Sequence, residues 1–482
     1  AKSGWVGISA TPAHGGMGLP LALNTAMHDM MCGACISLNL CPLLSQGQIE
    51  ALEHHASEEL QNLYLPKLIS GEWTGTMNLT EPQAGSDVGA LTSKAELQVD
   101  GTYKISGQKI FITWGEHDVA ENICHLVLAR LPNGKPGPKG ISLFLVPKFI
   151  PNSDGSLGAR NDLRCVSLEN KLGIHGSPTA VMEFSKATGW LVGQEHNGMA
   201  CMFTMMNNAR LAVGMQGVGV AEGAYQHALA YAMDRKQGRA MIAEGTGSII
   251  DHADVRRMLA QMKSEIFAAR SIGVACAVAI DMARTTGDVD WLARAAFLTP
   301  IAKSFGSDTG VAVADLGVQI HGGMGFVEET AAAQYLRDVR ITPIYEGTNG
   351  IQAMDLVARK MMDGGVAAFR LMDDITDLAS TSKSELADAV LASVTELRAT
   401  TEWLLNHDLN DRFAGAVAYQ KAFARVLGGY FHLISAMSGD GKRVRIANFY
   451  INSLLPEYTA LCSQARVGSE NLYALELDDF AA

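Results

Sequence analysis

Apolar residues recur three and four positions apart over residues 20–67, at Leu23, Met27, Met30 and Met31 and again at Leu60, Leu63 and Leu68, which predicts helices. Gly71 interrupts that pattern, and the period then shortens. Residues 103–106 alternate, residues 109–113 are rich in β-formers, and residues 125–129 and 141–146 flank a turn-rich stretch at 132–140. A further extended segment at 181–184 precedes Gly189-Trp190-Leu191-Val192-Gly193, after which strand signals fade. From Met199 to about Lys360 the helical spacing returns in runs of several turns. Gly214, Gly217, Gly219, Ala221, Gly223 and Ala224 would let helix backbones approach closely there. Asp363-Gly364-Gly365 reads as a break, and residues 371–477 are helical again, with Trp403, Phe423, Leu427 and Tyr430 as core positions. The order is α, β, α, α.

Composition narrows the class. The 482 residues are 48% hydrophobic and 18% charged, which suits a folded chain of about three domains rather than a disordered one. The formal net charge of -12 repels phosphate backbones and anionic lipid, so no nucleic-acid partner is expected. Eight cysteines in so long a chain do not form a disulfide framework, and with 22 methionines they indicate a reducing, cytoplasmic location. No uninterrupted apolar run of spanning length and no secretion signal is visible, so no membrane span is expected.

Individual short motifs are weak. Residues 217–223 are one residue too long for a dinucleotide fingerprint and follow a helical pattern, not a strand. Cys32 and Cys35 have a zinc-like spacing, with Cys41 nearby, but lack the second half of a tetrahedral site; small core residues are the better reading, and no metal is expected. His321-Gly322-Gly323-Met324-Gly325 lies between helices, where glycines commonly make a turn.

Longer segments carry more. Leu79-Thr80-Glu81-Pro82-Gln83-Ala84-Gly85-Ser86-Asp87 opens the β region, and Gly107-Gln108-Lys109-Ile110-Phe111-Ile112-Thr113 follows one hairpin later. Further on come Gln319-Ile320-His321-Gly322-Gly323 and Arg337-Asp338-Val339-Arg340-Ile341-Thr342-Pro343-Ile344-Tyr345-Glu346-Gly347-Thr348-Asn349-Gly350-Ile351-Gln352. In this order, over nearly the whole chain, they resemble the acyl-CoA dehydrogenase family. Gly115-Glu116-His117-Asp118 and Phe203-Thr204-Met205-Met206-Asn207-Asn208-Ala209-Arg210 are similar to the subgroup with an extra C-terminal helical domain, which includes the 3-methylmercaptopropionyl-CoA dehydrogenases. That family begins with a longer helical domain, whereas this chain enters near its middle, so the expectation is that the segment is either lost or not represented in the sequence.

The resemblance implies an α+β fold: a helical N-terminal domain at 1–75, a middle antiparallel β domain at 76–194, a helix bundle at 195–362 and an additional helical domain at 363–482. It implies FAD, an acyl-CoA substrate, electron-transfer flavoprotein as acceptor, and a homodimer. The reaction removes an α-proton to a base while the β-hydrogen leaves as hydride, and Glu346 matches the base. Its backbone N–H would polarise the thioester oxygen. A carboxylate just before a helix start is ordinarily acidified, so desolvation by the bound acyl chain is expected to raise it. Thr80, Phe111 and Thr113 match positions around the flavin ring, Ser86 joins the cofactor set, and Arg235 matches the arginine that meets the pyrophosphate from the neighbouring subunit. Gln237-Gly238 departs from the usual pattern after that arginine. Gln319, Gly322, Gly323, Thr348 and Asn349 match positions near the adenosine half. Ser86 and Arg210 match contacts to CoA, and Asn207 stands where an aspartate is common. Two other readings share much of this pattern: an acyl-CoA oxidase reoxidised by O2, and a non-catalytic flavin- and DNA-binding relative, which the net charge and the intact Glu346 segment oppose.

Overall fold

The computed structural model describes residues 3–481. Two compact units emerge: one holds the residues up to Asn24 and Cys35–Ala209, the other Thr25–Ala34 and everything from Arg210 onward.

In the first unit, helix α1 (Leu21–His55) is broken at Cys35, whose φ of -164° and ψ of 96° are not helical. Its later half belongs to this unit and is followed by α2 (Glu58–Ser70), started by the Ser57 cap and ended at left-handed Gly71. The strands are β1 (Trp73–Asn78), β2 (Lys94–Leu97), β3 (Tyr103–Thr113), β4 (Asn122–Arg130), β5 (Ile141–Pro147), β6 (Phe149–Pro151), β7 (Leu157–Arg160), β8 (Leu163–Leu168) and β9 (Thr179–Val192). Pairing runs from β4 through β2, β3, β9 and β5 and returns to β4, so the seven-stranded sheet closes on itself. Closure leaves no strand of that ring with a free edge, while β1 and β8 are each paired on one side only. β8 lies beside β9, and β6 and β7 form a separate hairpin. Most pairs are antiparallel as expected, but β1 runs parallel to β4, which corrects the expectation of a purely antiparallel domain. Parallel pairing needs a long connection, and residues 79–121 supply it. Ile105, Ile112, Val127, Phe144, Met182 and Phe184 fill the interior, and Trp73 packs edge-on to Tyr64 of α2 with centroids 5.6 Å apart.

The second unit is helical: α3 (Gly198–Asp234, from Arg210 onward), α4 (Ala253–Thr286), α5 (Val289–His321), α6 (Ala332–Val339), α7 (Asn349–Val357), α8 (Val366–Ser380), α9 (Glu385–Leu405), α10 (Leu409–Met437), α11 (Gly441–Phe449) and α12 (Glu457–Ala465). The glycine row on α3 does what its spacing suggests. A Cβ on Gly217 would strike the Gly306 carbonyl of α5, and one on Gly219 the Asp29 carbonyl in the first half of α1. Met215, Val218, Met262, Ile266, Val313 and Ile320 form the core between α3, α4 and α5. The C-terminal helices join the same unit: α10 packs on α4, α5 and α7, and its Arg425 reaches Glu265 of α4 at 2.7 Å.

By length and composition, α1 and α4 are each apolar enough to cross a membrane, although neither holds an uninterrupted apolar run of spanning length. Their apolar character comes from Ala, Met, Cys and Gly dispersed among polar residues, so no unbroken run of large side chains marks them in the sequence. Here α4 buries Met262, Ile266 and Ile272 in the bundle. All eight cysteines are free, and Cys35 is exposed, unlike the core position expected of it. Among the described residues no group of three or more His, Cys, Asp or Glu could hold a metal.

Candidate active site

In the first unit the segment after β1 is organised by one buried carboxylate. Glu81 accepts from Thr92 N (2.7 Å), Thr92 Oγ1 (2.8 Å), Ser93 N (3.0 Å) and Gln83 Nε2 (2.7 Å). Lys109 Nζ completes the set at 2.8 Å and also donates to Leu79 O at 3.1 Å. Neither partner meets solvent: Lys109 is 0% exposed and Glu81 2%. Burial alone would raise the Glu81 carboxyl, but Lys109 and the surrounding donors outweigh it and hold it at about 2. Burial brings Lys109 down to about 8, against the pull of Glu81. Two motifs separated in sequence are thus tied at one point.

Beyond Lys109 the register of β3 on β9 slips, from Lys109 opposite Met182 to Ile112 opposite Ala180. The bulge turns Ile110 N to Thr80 O (3.0 Å) and puts Phe111 at φ 60°, with 59% of its surface exposed. A left-handed phenylalanine is strained by roughly 1–3 kcal/mol, and such strain clusters where ligands bind. Trp114 also has a positive φ, and its indole donates to Ser37 O at 3.1 Å. Thr80 and Thr113 are partly buried on this side of the barrel, and Ser86 is exposed on the loop. An outward aromatic ring with hydroxyls along the same strand region fits a flat, partly polar ligand such as an isoalloxazine.

In the second unit, the turn before α7 carries Glu346. Glu346 and Gly347 are both left-handed, at φ 58° and 84°. A Cβ on Gly347 would collide with the Gln352 amide, which itself donates to Glu346 O at 3.4 Å. Thr348 caps α7, accepting from Ile351 N at 3.2 Å. Tyr345 donates its hydroxyl to Gln216 of α3. Protein packs closely round the Glu346 carboxyl, although part of the residue reaches the surface. That burial raises it to about 7, against the opposing pull of Arg210 and Lys303. The expected source of the shift is therefore corrected: the folded chain itself supplies the desolvation. Gln216 Nε2, Ser304 Oγ and Gln352 Oε1 are buried and unpartnered on the elements that frame this turn, an arrangement that water or a polar ligand would satisfy.

The remaining expected residues fall in different settings. Arg235 lies exposed just after α3; Gln319, Gly322 and Gly323 are exposed where α5 ends. Nothing lies within 4 Å of a Cβ built on Gly322 or Gly323, so their backbone is open to an approaching group. Asn207 is exposed, whereas Arg210 is buried and held below its usual range by burial, within electrostatic reach of Asp355 and Glu346. Arg210 is thus an interior cation. Asn349 is engaged within the protein. Its amide bonds inward, Oδ1 accepting from Lys303 Nζ (2.8 Å) and Nδ2 donating to Asp308 Oδ1 (2.7 Å) and Ser307 Oγ (3.0 Å). Lys303 was not among the expected site residues. Its signal was a lone lysine in the small and apolar run Leu298-Thr299-Pro300-Ile301-Ala302-Lys303-Ser304-Phe305-Gly306, on a face that α3 buries.

Comparison with known proteins follows the same chain order. Domain families match residues 1–72 (acyl-CoA dehydrogenase, N-terminal domain), 76–187 (middle domain), 196–362 (C-terminal domain) and 369–476 (acetyl-CoA dehydrogenase C-terminal like). The chain is 46% identical over 454 residues to a 3-methylmercaptopropionyl-CoA dehydrogenase of Ruegeria pomeroyi, covering 91% of this chain and 77% of that one. It is 37% identical over 469 residues to a butyryl-CoA dehydrogenase of Syntrophomonas wolfei, covering 90% and 76%. A solved acyl-CoA dehydrogenase from Bacillus anthracis complexed with FAD shares the fold at TM-score 0.80 and 22% identity, covering 99% of this chain and 82% of that one.

Proposed function

The chain belongs to the acyl-CoA dehydrogenase family and is an FAD-dependent oxidoreductase of acyl-CoA thioesters, and we propose that Glu346 is the base that takes the substrate α-proton. The observation that carries this reading is a carboxylate raised to about 7 in a tight left-handed turn, within electrostatic reach of Arg210 and Lys303. A base titrating close to working pH combines a useful ionised fraction with proton affinity. Bound FAD supplies the acceptor for the β-hydrogen. The Glu346 backbone N–H would donate to the thioester oxygen as charge gathers there.

On the first unit, Thr80, Phe111 and Thr113 would hold the ring side of the cofactor, with Ser86 and Asn207 toward CoA. On the second, Arg235, Gln319, Gly322, Gly323 and Thr348 would meet the pyrophosphate and adenosine portions. The four segments 1–75, 76–194, 195–362 and 363–482 are read as its domains. The two relatives are named for short acyl groups, which favours a short-chain substrate, the sulfur-bearing one included. Electron-transfer flavoprotein as acceptor, a homodimer and a cytoplasmic location belong to the same reading.

Anaerobic titration of the flavin-loaded protein with a series of acyl-CoAs tests it. Short acyl-CoAs should bleach the flavin, and Glu346→Gln should retain FAD while bleaching falls about 10²–10⁴-fold in rate. Unchanged bleaching in that variant would remove Glu346 from the role. Rapid reoxidation by O2 would favour the oxidase reading, and a tetramer in sedimentation would overturn the homodimer.

A further inference from the structure

Lys303 is 0% exposed in the middle of α5 and bears an ammonium group with no solvent to share. Its Nζ donates to Asn349 Oδ1 at 2.8 Å, and Ser307, one turn on, returns its hydroxyl to Lys303 O at 2.8 Å. Asn349 opens α7, three residues after Glu346, and its own N donates to Pro343 O at 3.0 Å. Its side-chain amide is used on both sides, by Lys303 on one and by Asp308 and Ser307 on the other. The left-handed turn that carries Glu346 is therefore closed at its base by a side chain anchored to α5. A buried lysine is retained at a cost unless it does something an uncharged side chain of like size would not.

We propose that Lys303 is a positioning residue for Glu346: through Asn349 it fixes the turn that carries the carboxylate, and its buried positive charge favours the ionised base. This rests on Glu346 being the base and adds the group that governs its charge state. Glu346 feels Lys303 of α5 and Arg210 of α3 as opposing influences to its burial, and Tyr345 of its own turn is coupled to it. Asp308 and Arg210 act on Lys303, Asp355 and Arg359 act on Arg210, and Lys421 of α10 and Arg340 act on Asp308. Lys303 is held down to about 8 by burial, above the value of about 7 for Glu346, so it is mainly charged at the point where Glu346 is half ionised. Arg210 alone would not anchor the turn, because the bond to Asn349 is made by Lys303.

The test is an infrared pH titration of the Glu346 carboxyl, whose band is identified by its loss in Glu346→Gln. It reads the carboxyl itself and does not depend on turnover, so it separates this inference from the assignment of the base. Lys303→Gln keeps a donor for Asn349 and removes the charge; its carboxyl midpoint should move up by about one pH unit, tenfold in proton affinity, and the acid limb of flavin reduction should move with it. Lys303→Arg should stay near the parent value. If Lys303→Gln fails to fold, Lys303→Met in the presence of FAD removes the charge and the Asn349 bond together, and its midpoint should rise by at least as much. A folded charge-free variant whose Glu346 midpoint matches the parent overturns the proposal. If the midpoint moves as expected while Glu346→Gln still reduces flavin, the electrostatic role stands and the assignment of the base fails instead.

Discussion

Lys109 and Glu81 meet at 2.8 Å inside the barrel unit, and this contact joins strand β3 to the loop that follows β1. The pair has a consequence for stability. Removing one partner leaves the other as an unpaired buried charge, so Lys109→Met should cost about 3–5 kcal/mol, more than any exposed ion pair here. Urea denaturation followed by tryptophan fluorescence measures it; a loss below ~1 kcal/mol would mean that the charge had found water. The acid limb has a fixed sign. Glu81 lies at about 2 in the fold, below its ordinary value of 4.5, so its contribution is complete above about 4.5 and is lost as pH falls towards 2.

Glu346 has the opposite sign. Its native value of about 7 is above the ordinary 4.5, so the protonated form favours folding below about 4.5, and that contribution is lost as pH rises through about 7. Activity moves the other way. The kcat/KM of flavin reduction, read at low acyl-CoA, should rise about tenfold per pH unit below about 7 and level off above it. Stopped-flow measurement over pH 5.5–8.5, estimated as about the span needed to see both arms, checks this; a flat profile would show that a group other than Glu346 limits proton removal.

The glycines separate packing from ligand approach. Gly217→Ala drives a methyl group into the Gly306 carbonyl of α5, and overpacking at a backbone contact should cost about 1–3 kcal/mol, read as a lower melting temperature. Gly323→Ala meets nothing within 4 Å and should melt with the parent. If the adenosine half of FAD passes over Gly323, the same variant should bind FAD less tightly in equilibrium dialysis. Equal affinity would take Gly323 out of the cofactor site.

Phe111 offers a trade between strain and binding. Phe111→Gly relieves a left-handed bulky residue and removes a ring that is mostly in solvent, so the apoprotein should gain about 1 kcal/mol. FAD retention should fall, because the stacking surface is gone. A variant that melts earlier than the parent and keeps FAD fully would contradict both halves of the argument.

Much of this fold follows from spacing. The helical period at 20–67 appears as α1 and α2, with the stop at Gly71, and the glycines of α3 mark a close helix approach. The barrel's closure did not show, since it depends on β4 meeting both β2 and β5, and neither did the parallel β1; these are pairings between distant segments that no local alternation encodes. The break at Cys35 was equally hidden, because the apolar pattern runs through it and the nearby Gly33 does not by itself distinguish a break from a close helix contact. Around the candidate site, resemblance pointed to Glu346 and its turn but not to Lys303. A lone lysine in a small and apolar run looks like a solvated position until the helix packed over it is known.

Gln420 of α10 donates its amide to the carbonyl of Pro300 at 3.0 Å, three residues before Lys303 on the same helix. The accessory helices are thereby spliced into the backbone of the element that anchors the base, and Arg425 of the same helix pairs with Glu265 of α4. They are no detachable appendix: a chain cut after residue 363 would not be a shorter version of this enzyme but one with its supporting wall opened.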